Sequence, residues 1–159
     1  MSIEKDIALL RGVATFDMLS AEALRIIAIS AEERHLAAEE VLFRRGETAD
    51  CAYVVVSGRV DLVDDRKSDA PRVLHVAGPG ALLGETALIV ATPRPTSAVA
   101  SEPTVVMRIA RSTFVRMLES FPDATAKLRR SIAKRLEDTI RALDNVRAKL
   151  EDQRQHRRR

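Results

Sequence analysis

The chain contains a single cysteine, Cys51, among its 159 residues. A lone thiol excludes an intramolecular disulfide, and no cysteine or histidine spacing suggests a zinc site. This usage of cysteine fits a reducing compartment. The sequence also lacks a long apolar run and is charged within its first six residues, so it predicts neither a signal peptide nor a membrane span. We therefore expect a cytoplasmic protein.

The motifs of several enzyme classes are missing as well. There is no Gly-x-Ser-x-Gly elbow, P-loop lysine or Cys/His nucleophile pair, which argues against hydrolysis or group transfer and hence against an enzyme. The three histidines, His35, His75 and His156, lie far apart in sequence, and none is paired with an acid at a ligand-like spacing. The sequence therefore predicts no metal centre of the cupin type.

Charge is unevenly distributed along what the length predicts to be one domain with one core. Residues 111–159 carry 14 Lys/Arg against 7 Asp/Glu, whereas residues 1–110 carry 12 against 16. The basic segment could meet nucleic acid or an acidic protein surface. It could equally be a solvated helix face followed by a frayed tail.

Helices are predicted at both ends, with strands between them. Residues 3–11 and 20–33 have helical spacing, the second with Ser20 as N-cap. Short β-rich runs separated by turn signals follow, which is typical of an all-β sandwich or barrel. These runs are Glu40–Phe43, Ala52–Ser57, Val60–Asp64, Arg72–Ala77 and Thr104–Ile109. The segment Tyr53–Val56 is apolar on both faces and is predicted to be central in a sheet.

Residues Arg111–Ser120 return to helical spacing, and a long helix is predicted from Pro122 to about Leu150. Apolar or small side chains recur along it in alternating steps of four and three residues, the pattern of a coiled-coil seam. The seam comprises Ile132, Leu136, Thr139, Leu143, Val146 and Leu150. It favours a homodimer; the alternative is a helix folded back on its own β-domain.

The stretch Gly78–Ala100 has the residues of an anion site. Three glycines, at positions 78, 80 and 84, allow tight turns and close approach of backbone to a ligand. Thr86–Ile89 predicts one helical turn with N–H groups at its start, and Arg94 supplies a guanidinium suited to phosphate. An acid such as Glu85 would repel phosphate and should face a hydroxyl instead. The glycine spacing differs by one residue from the fingerprint of a dinucleotide-binding site, and no crossover helices separate the strands. Both observations argue against a Rossmann fold.

This stretch resembles the phosphate-binding cassette of the cyclic-nucleotide-binding domain family. That family includes protein kinase A regulatory subunits, cyclic-nucleotide-gated channels and bacterial catabolite activator proteins. The resemblance rests on Gly84–Leu88, Pro93-Arg94 and Thr96–Val99, and it extends outward to Val41–Glu47 and Ala52–Val60 with their glycine turns.

The resemblance implies roles for individual residues. Glu85 would take the ribose 2′-hydroxyl of cAMP or cGMP, and Arg94 the exocyclic phosphate oxygens. The backbone N–H groups of Thr86 and Ala87, which follow Gly84, would take further oxygens.

Two positions depart from the family pattern. Leu83 stands where an aromatic residue is usual, and Pro95 stands where a residue with a backbone N–H is common. Because proline has no N–H, it removes one donor to the phosphate, for which the neighbouring Thr96 could substitute.

The implied fold is α+β and mainly β. It is a double-stranded β-helix, or jelly-roll-like β-roll, flanked by N-terminal helices and a long C-terminal helix. The expected units are residues 1–121 for the roll with its N-terminal helices, 122–151 for the helix that acts as lid and dimer contact, and 152–159 for a basic disordered tail.

The implied function is a receptor that signals through its last helix to an unknown protein effector. DNA is an improbable partner, because only nine residues follow Leu150, unless the chain is a piece of a longer one. The alternative is a degenerate copy of the fold that serves as a dimerisation or docking scaffold without nucleotide.

Overall fold

The structure, a computed structural model, describes residues 2–66 and 70–157, without the side chains of residues 132, 135, 136, 139 and 155–157. Its helices are α1 (Ile3–Arg11), α2 (Ala21–Ser30), α3 (Arg111–Ser120) and α4 (Pro122–Arg157), with 3-10 turns at Ala14–Phe16 and Glu85–Leu88. Its strands are β1 (Glu32–Leu36), β2 (Val41–Phe43), β3 (Thr48–Ala49), β4 (Cys51–Ser57), β5 (Val60–Asp64), β6 (Arg72–Ala77), β7 (Leu82–Leu83), β8 (Thr92–Pro93), β9 (Ser97–Ala100) and β10 (Thr104–Ala110).

The strands form two antiparallel four-stranded sheets and a short pair. The sheet orders are β1-β10-β4-β7 and β2-β9-β5-β6, and β3 pairs with β8. Side chains from both large sheets share one apolar core, so the sheets pack face to face as a roll. The expected α+β fold, a jelly-roll-like roll of antiparallel sheets with helices at both ends, is confirmed. It is mixed rather than mainly β, because α4 alone spans 36 residues.

Strand β4 separates two apolar cores. Ala52 and Val54 point into a core shared with the helices, whereas Tyr53 and Val55 point into the interior of the roll. This alternation follows from the two-residue period of a strand. Because β4 lies between β10 and β7 and is apolar on both faces, the prediction of a central strand at this position is confirmed.

Helix α2 begins as predicted and ends earlier. The Ser20 hydroxyl accepts a hydrogen bond from the N–H of Ala23 at 3.2 Å, so Ser20 is the N-cap. The predicted helix over 20–33 is wrong at its end, because Glu32–Leu36 form β1 and pair with β10. Long-range pairing overrides the helix propensity of the Glu-Glu-Arg run.

Helix α4 continues to Arg157, beyond its predicted end near Leu150. The prediction of a disordered tail over 152–159 is therefore wrong for residues 152–157, which are helical; residues 158 and 159 lie outside the description. The reason is local, since no glycine or proline follows Pro122 to end the helix.

Among the described residues, no helix combines the length and apolar character needed to cross a bilayer.

The predicted seam is exposed in the second half of α4. Leu143 is 65% exposed, and Val146 and Leu150 are each 55% exposed. This half of the helix does not fold back on its own β-domain, although Leu128 in the second turn is buried in the helical core. The seam side chains of Ile132, Leu136 and Thr139 lie outside the described part of the structure, and dimerisation stays a prediction.

Candidate functional site

The predicted cassette enters its turn directly from a buried strand. Leu83, which ends β7 beside the central strand, is buried, and the 3-10 turn starts at Glu85, one residue before the predicted start at Thr86. Gly84 between them has φ +78°, a left-handed conformation that glycine adopts without steric cost. The strand-to-turn junction therefore depends on this glycine.

The backbone of Arg94 is held by the loop that connects β2 and β3. Its N–H donates to the carbonyl of Glu47, and its carbonyl accepts from the N–H of Gly46, both at 2.8 Å between N and O. These bonds continue the β3–β8 pair. They set the direction of the side chain, which is only 5% exposed.

The guanidinium of Arg94 lies in an aromatic pocket inside the roll. Its Cζ is 4.3 Å from the ring centroid of Phe43 and 5.7 Å from that of Tyr53, within the range of cation–π attraction. Nη2 donates to the carbonyl of Cys51 at 2.8 Å and contacts its Sγ at 3.4 Å. The arginine predicted to bind phosphate is thus already positioned by packing.

The other terminal nitrogen of Arg94, Nη1, is buried without a hydrogen-bond partner in the part of the chain that the structure describes. It lies against Gly84, where any Cβ would clash with it. Two predicted site residues, Gly84 and Arg94, are therefore brought together. A buried cationic donor without an acceptor is costly, so this atom is suited to an anionic oxygen.

The neighbouring phenol does not neutralise this charge. Burial, followed by a hydrogen bond with Cys51, raises the pKa of Tyr53 above its ordinary value, although the charge of Arg94 acts in the opposite direction. Tyr53 is therefore neutral at physiological pH. The positive charge of Arg94 is therefore not paired with a phenolate.

Glu85 is directed toward the N-terminal helices. Its Oε1 accepts a hydrogen bond from the hydroxyl of Thr15 at 2.9 Å. Thr86 beside it is exposed, whereas Ala87 is buried and its N–H donates to the carbonyl of Gly84 at 3.0 Å. That bond engages, within the turn, one of the amides that the resemblance assigns to the ligand, so the roles of these residues stay predictions.

Pro95 is exposed and Thr96 half-buried, and both line, together with Arg94, an open cavity of about 450 Å³. The other lining residues are Arg45, Gly46, Asp64, Arg66, Leu74 and Pro93. The volume is in the range of ligand sites. Gly84–Ala87, the first part of the cassette, are not among its described lining residues.

A buried serine fixes the loop beside this cavity. Ser97 accepts a hydrogen bond from the N–H of Arg45 at 2.9 Å and donates to Asp65 at 2.8 Å. The bond from Ser97 holds the pKa of the Asp65 carboxyl below its ordinary value, and Arg45 acts in the same direction. Asp65 is therefore ionised at neutral pH, and its carboxylate interacts with both Ser97 and Arg45.

Sequence reasoning missed the residues that hold the two charged groups. Cys51 and Tyr53 are two apart on β4, so the two-residue period could have placed them on one face. No sequence signal connects Thr15 with Glu85, which is 70 residues away. No group of three or more His, Cys, Asp or Glu side chains in the described part of the chain is arranged to hold a metal ion.

Comparison with known proteins identifies the family of this domain. The model of the cyclic nucleotide-binding domain matches residues 33–121. A cAMP-dependent protein kinase regulatory subunit of Eremothecium gossypii is 34% identical over 106 residues, which are 66% of this chain and 22% of that protein. The chain belongs to the cyclic nucleotide-binding domain family.

Solved structures are similar as well. A cyclic nucleotide-binding-like protein from Brucella abortus is 45% identical with a TM-score of 0.66, over 72% of this chain and 97% of that one. The regulatory domain of Toxoplasma gondii PKA, crystallised with cAMP, is 27% identical with a TM-score of 0.68, over 72% of this chain and 44% of that one. The chain spans about a fifth of the length of the curated regulatory subunit, so the match concerns this domain alone.

Proposed function

We propose that the chain is a regulatory module that binds cAMP or cGMP without catalysis. The observation that carries the proposal is the buried guanidinium of Arg94, whose Nη1 has no hydrogen-bond partner among the described residues. A phosphate oxygen that reaches Nη1 would satisfy this donor and pair its charge, and such charge-assisted bonds are about twice as strong as neutral ones. The likeness to a PKA regulatory domain crystallised with cAMP supports this ligand class.

The remaining roles in the proposal follow the cassette. Glu85 takes the ribose 2′-hydroxyl, and the N–H groups of Thr86 and Ala87 take further oxygens of the ligand. Thr96 supplies the donor that Pro95 lacks. Binding at Ala87 requires its N–H to leave the Gly84 carbonyl or to be shared between the two acceptors.

A path from the cassette to the last helices supports a signalling role. Arg111, the first residue of α3, donates from Nε to the carbonyl of Ala87 at 2.9 Å and from Nη2 to the carbonyl of Ala49 at 2.7 Å. A shift of the 3-10 turn would therefore pull on α3, which packs against α4. Differential affinity for the two arrangements would convert binding into a signal.

Thermal shift and calorimetry with cAMP, cGMP and cyclic dinucleotides test the ligand class. A ligand that binds the native state alone raises the melting temperature by mass action, so one of these nucleotides should do so at micromolar concentration. A folded chain that responds to none of them would contradict the proposal.

A nucleotide-free docking or dimerisation scaffold is the second candidate, favoured by Pro95. Because proline has no N–H, the phosphate loses one hydrogen-bond donor at this position. A hydrogen bond to a charged group contributes about 1.5–3 kcal/mol, which is roughly a ten- to hundredfold change in affinity. We expect Pro95→Ala to bind cAMP or cGMP more tightly than the parent. Calorimetry of both proteins measures the difference, and Pro71→Ala, at an exposed position outside the cavity, is the matched control. Equal affinity in parent and Pro95→Ala would show that this N–H is not limiting.

We also propose that α4 pairs with a second copy of the chain. Leu143, Val146 and Leu150 would otherwise leave an apolar stripe in water. Exposed stripes of this spacing associate as coiled coils, although fewer than three heptads is short.

Replacing Leu143 and Leu150 together with glutamate should give a monomer with a folded β-domain, because the seam would then carry like charges. Light scattering measures the mass, and circular dichroism the fold. Ile29→Glu, at a 58% exposed position on α2, is the control and should leave the mass unchanged. A parent protein that is already monomeric would remove the dimer proposal.

We place the module in the cytoplasm, with a protein effector rather than DNA as its partner. The buried free thiol of Cys51 fits a reducing compartment.

A further inference from the structure

The hydroxyl of Thr15 and the carboxylate of Glu85 meet at 2.9 Å across 70 residues of sequence. Thr15 is 3% exposed and Glu85 is partly exposed, so the bond joins a buried hydroxyl to a carboxylate that still reaches the surface of the cassette. A hydrogen bond to a carboxylate is stronger and more directional than a neutral one. A residue of the N-terminal segment thus holds the acid of the cassette.

The position of Thr15 is itself fixed by packing. The residue lies in the 3-10 turn Ala14–Phe16, where the N–H of Phe16 donates to the carbonyl of Val13 at 2.9 Å. The ring of Phe16 is fully buried and packs on that of Phe114 in α3, with centroids 6.0 Å apart. The hydroxyl of Thr15 is therefore presented by a rigid element, which also contacts the helix that follows the roll.

We propose, on the basis of the proposed function, that Thr15 is a positioning residue that orients Glu85 for the 2′-hydroxyl of a cyclic ribonucleotide. A carboxylate offers about four lone-pair directions, so it accepts from Thr15 and from a ribose hydroxyl at the same time. Because Thr15 restricts the rotamers of Glu85 before the ligand arrives, less side-chain entropy is lost on binding. The preference for a ribose over a deoxyribose then depends on a residue outside the cassette.

Comparing cAMP with 2′-deoxy-cAMP in the full chain separates this role from a structural one. Thr15→Val keeps the shape of the side chain and removes the hydroxyl. It should weaken cAMP binding roughly two- to tenfold, the effect of ordering one long side chain, and leave 2′-deoxy-cAMP unchanged. Thr15→Ser should restore the cAMP affinity. Thr125→Val, which removes a hydroxyl that donates to the carbonyl of Leu118, is the matched control and should alter neither affinity.

The outcomes distinguish this proposal from the one on which it rests. Equal losses for both nucleotides in Thr15→Val would mean that Thr15 only supports the fold, and tighter cAMP binding would mean that it competes with the ribose; either result overturns the positioning role while nucleotide binding stands. A parent chain that binds neither nucleotide overturns both proposals. If Thr15→Val melts below the assay temperature, Thr15→Ala provides the same comparison.

Discussion

Replacing Arg94 with alanine is expected to reduce cyclic-nucleotide affinity by about 2–5 kcal/mol, or roughly 30- to 5,000-fold, the range for removing one member of a desolvated charged pair. The fold should survive, because the change also removes a buried donor that has no partner among the described residues. Calorimetry with cAMP and cGMP measures the affinity, and thermal melting checks the fold.

Two further variants sharpen this experiment. Arg94→Lys retains the positive charge and loses the planar fork, so it should bind with intermediate affinity. Arg116→Ala makes the same change in net charge at an exposed position on α3 and should bind like the parent. Affinity of Arg94→Ala within twofold of the parent would show that the phosphate does not bind at this guanidinium.

Gly84→Ala is expected to weaken binding roughly tenfold or more and to destabilise the fold. The left-handed φ of +78° costs an alanine about 1–2 kcal/mol. In addition, the new Cβ would clash with Nη1 of Arg94 and force the guanidinium from its position. The affinity falls because the displaced Nη1 no longer donates a hydrogen bond to the charged phosphate of the ligand.

Gly80→Ala is the matched control, because the chain offers a second glycine with nearly the same backbone. Gly80 has φ +87°, and a Cβ there would meet nothing within 4 Å. Both variants should lower the melting temperature, while only Gly84→Ala should lose affinity. Equal affinities for the two variants would show that the close approach of Gly84 and Arg94 does not position the ligand donor.

Short-range patterns were sufficient for the elements whose sequence signal is local. The N-cap at Ser20, the two-sided apolar strand around Tyr53–Val56 and the helix Arg111–Ser120 were all predicted within a residue of their observed ends. Strand β1 was not predicted, because its first two residues were assigned to the preceding helix. The strands β3, β7, β8 and β9 were not predicted either, since segments of two to four residues carry too little periodicity. Their pairing is determined by distant strands.

For the site, the sequence by itself determined the chemical groups and their order: a glycine, an acid, a helical turn and an arginine within one stretch. Only the tertiary structure decided what surrounds them. Phe43, Cys51 and Tyr53 enclose the guanidinium of Arg94, and Thr15 holds Glu85. The physical reason is that backbone pairing and core packing bring together residues 41 to 70 positions apart, and no short-range pattern records such contacts.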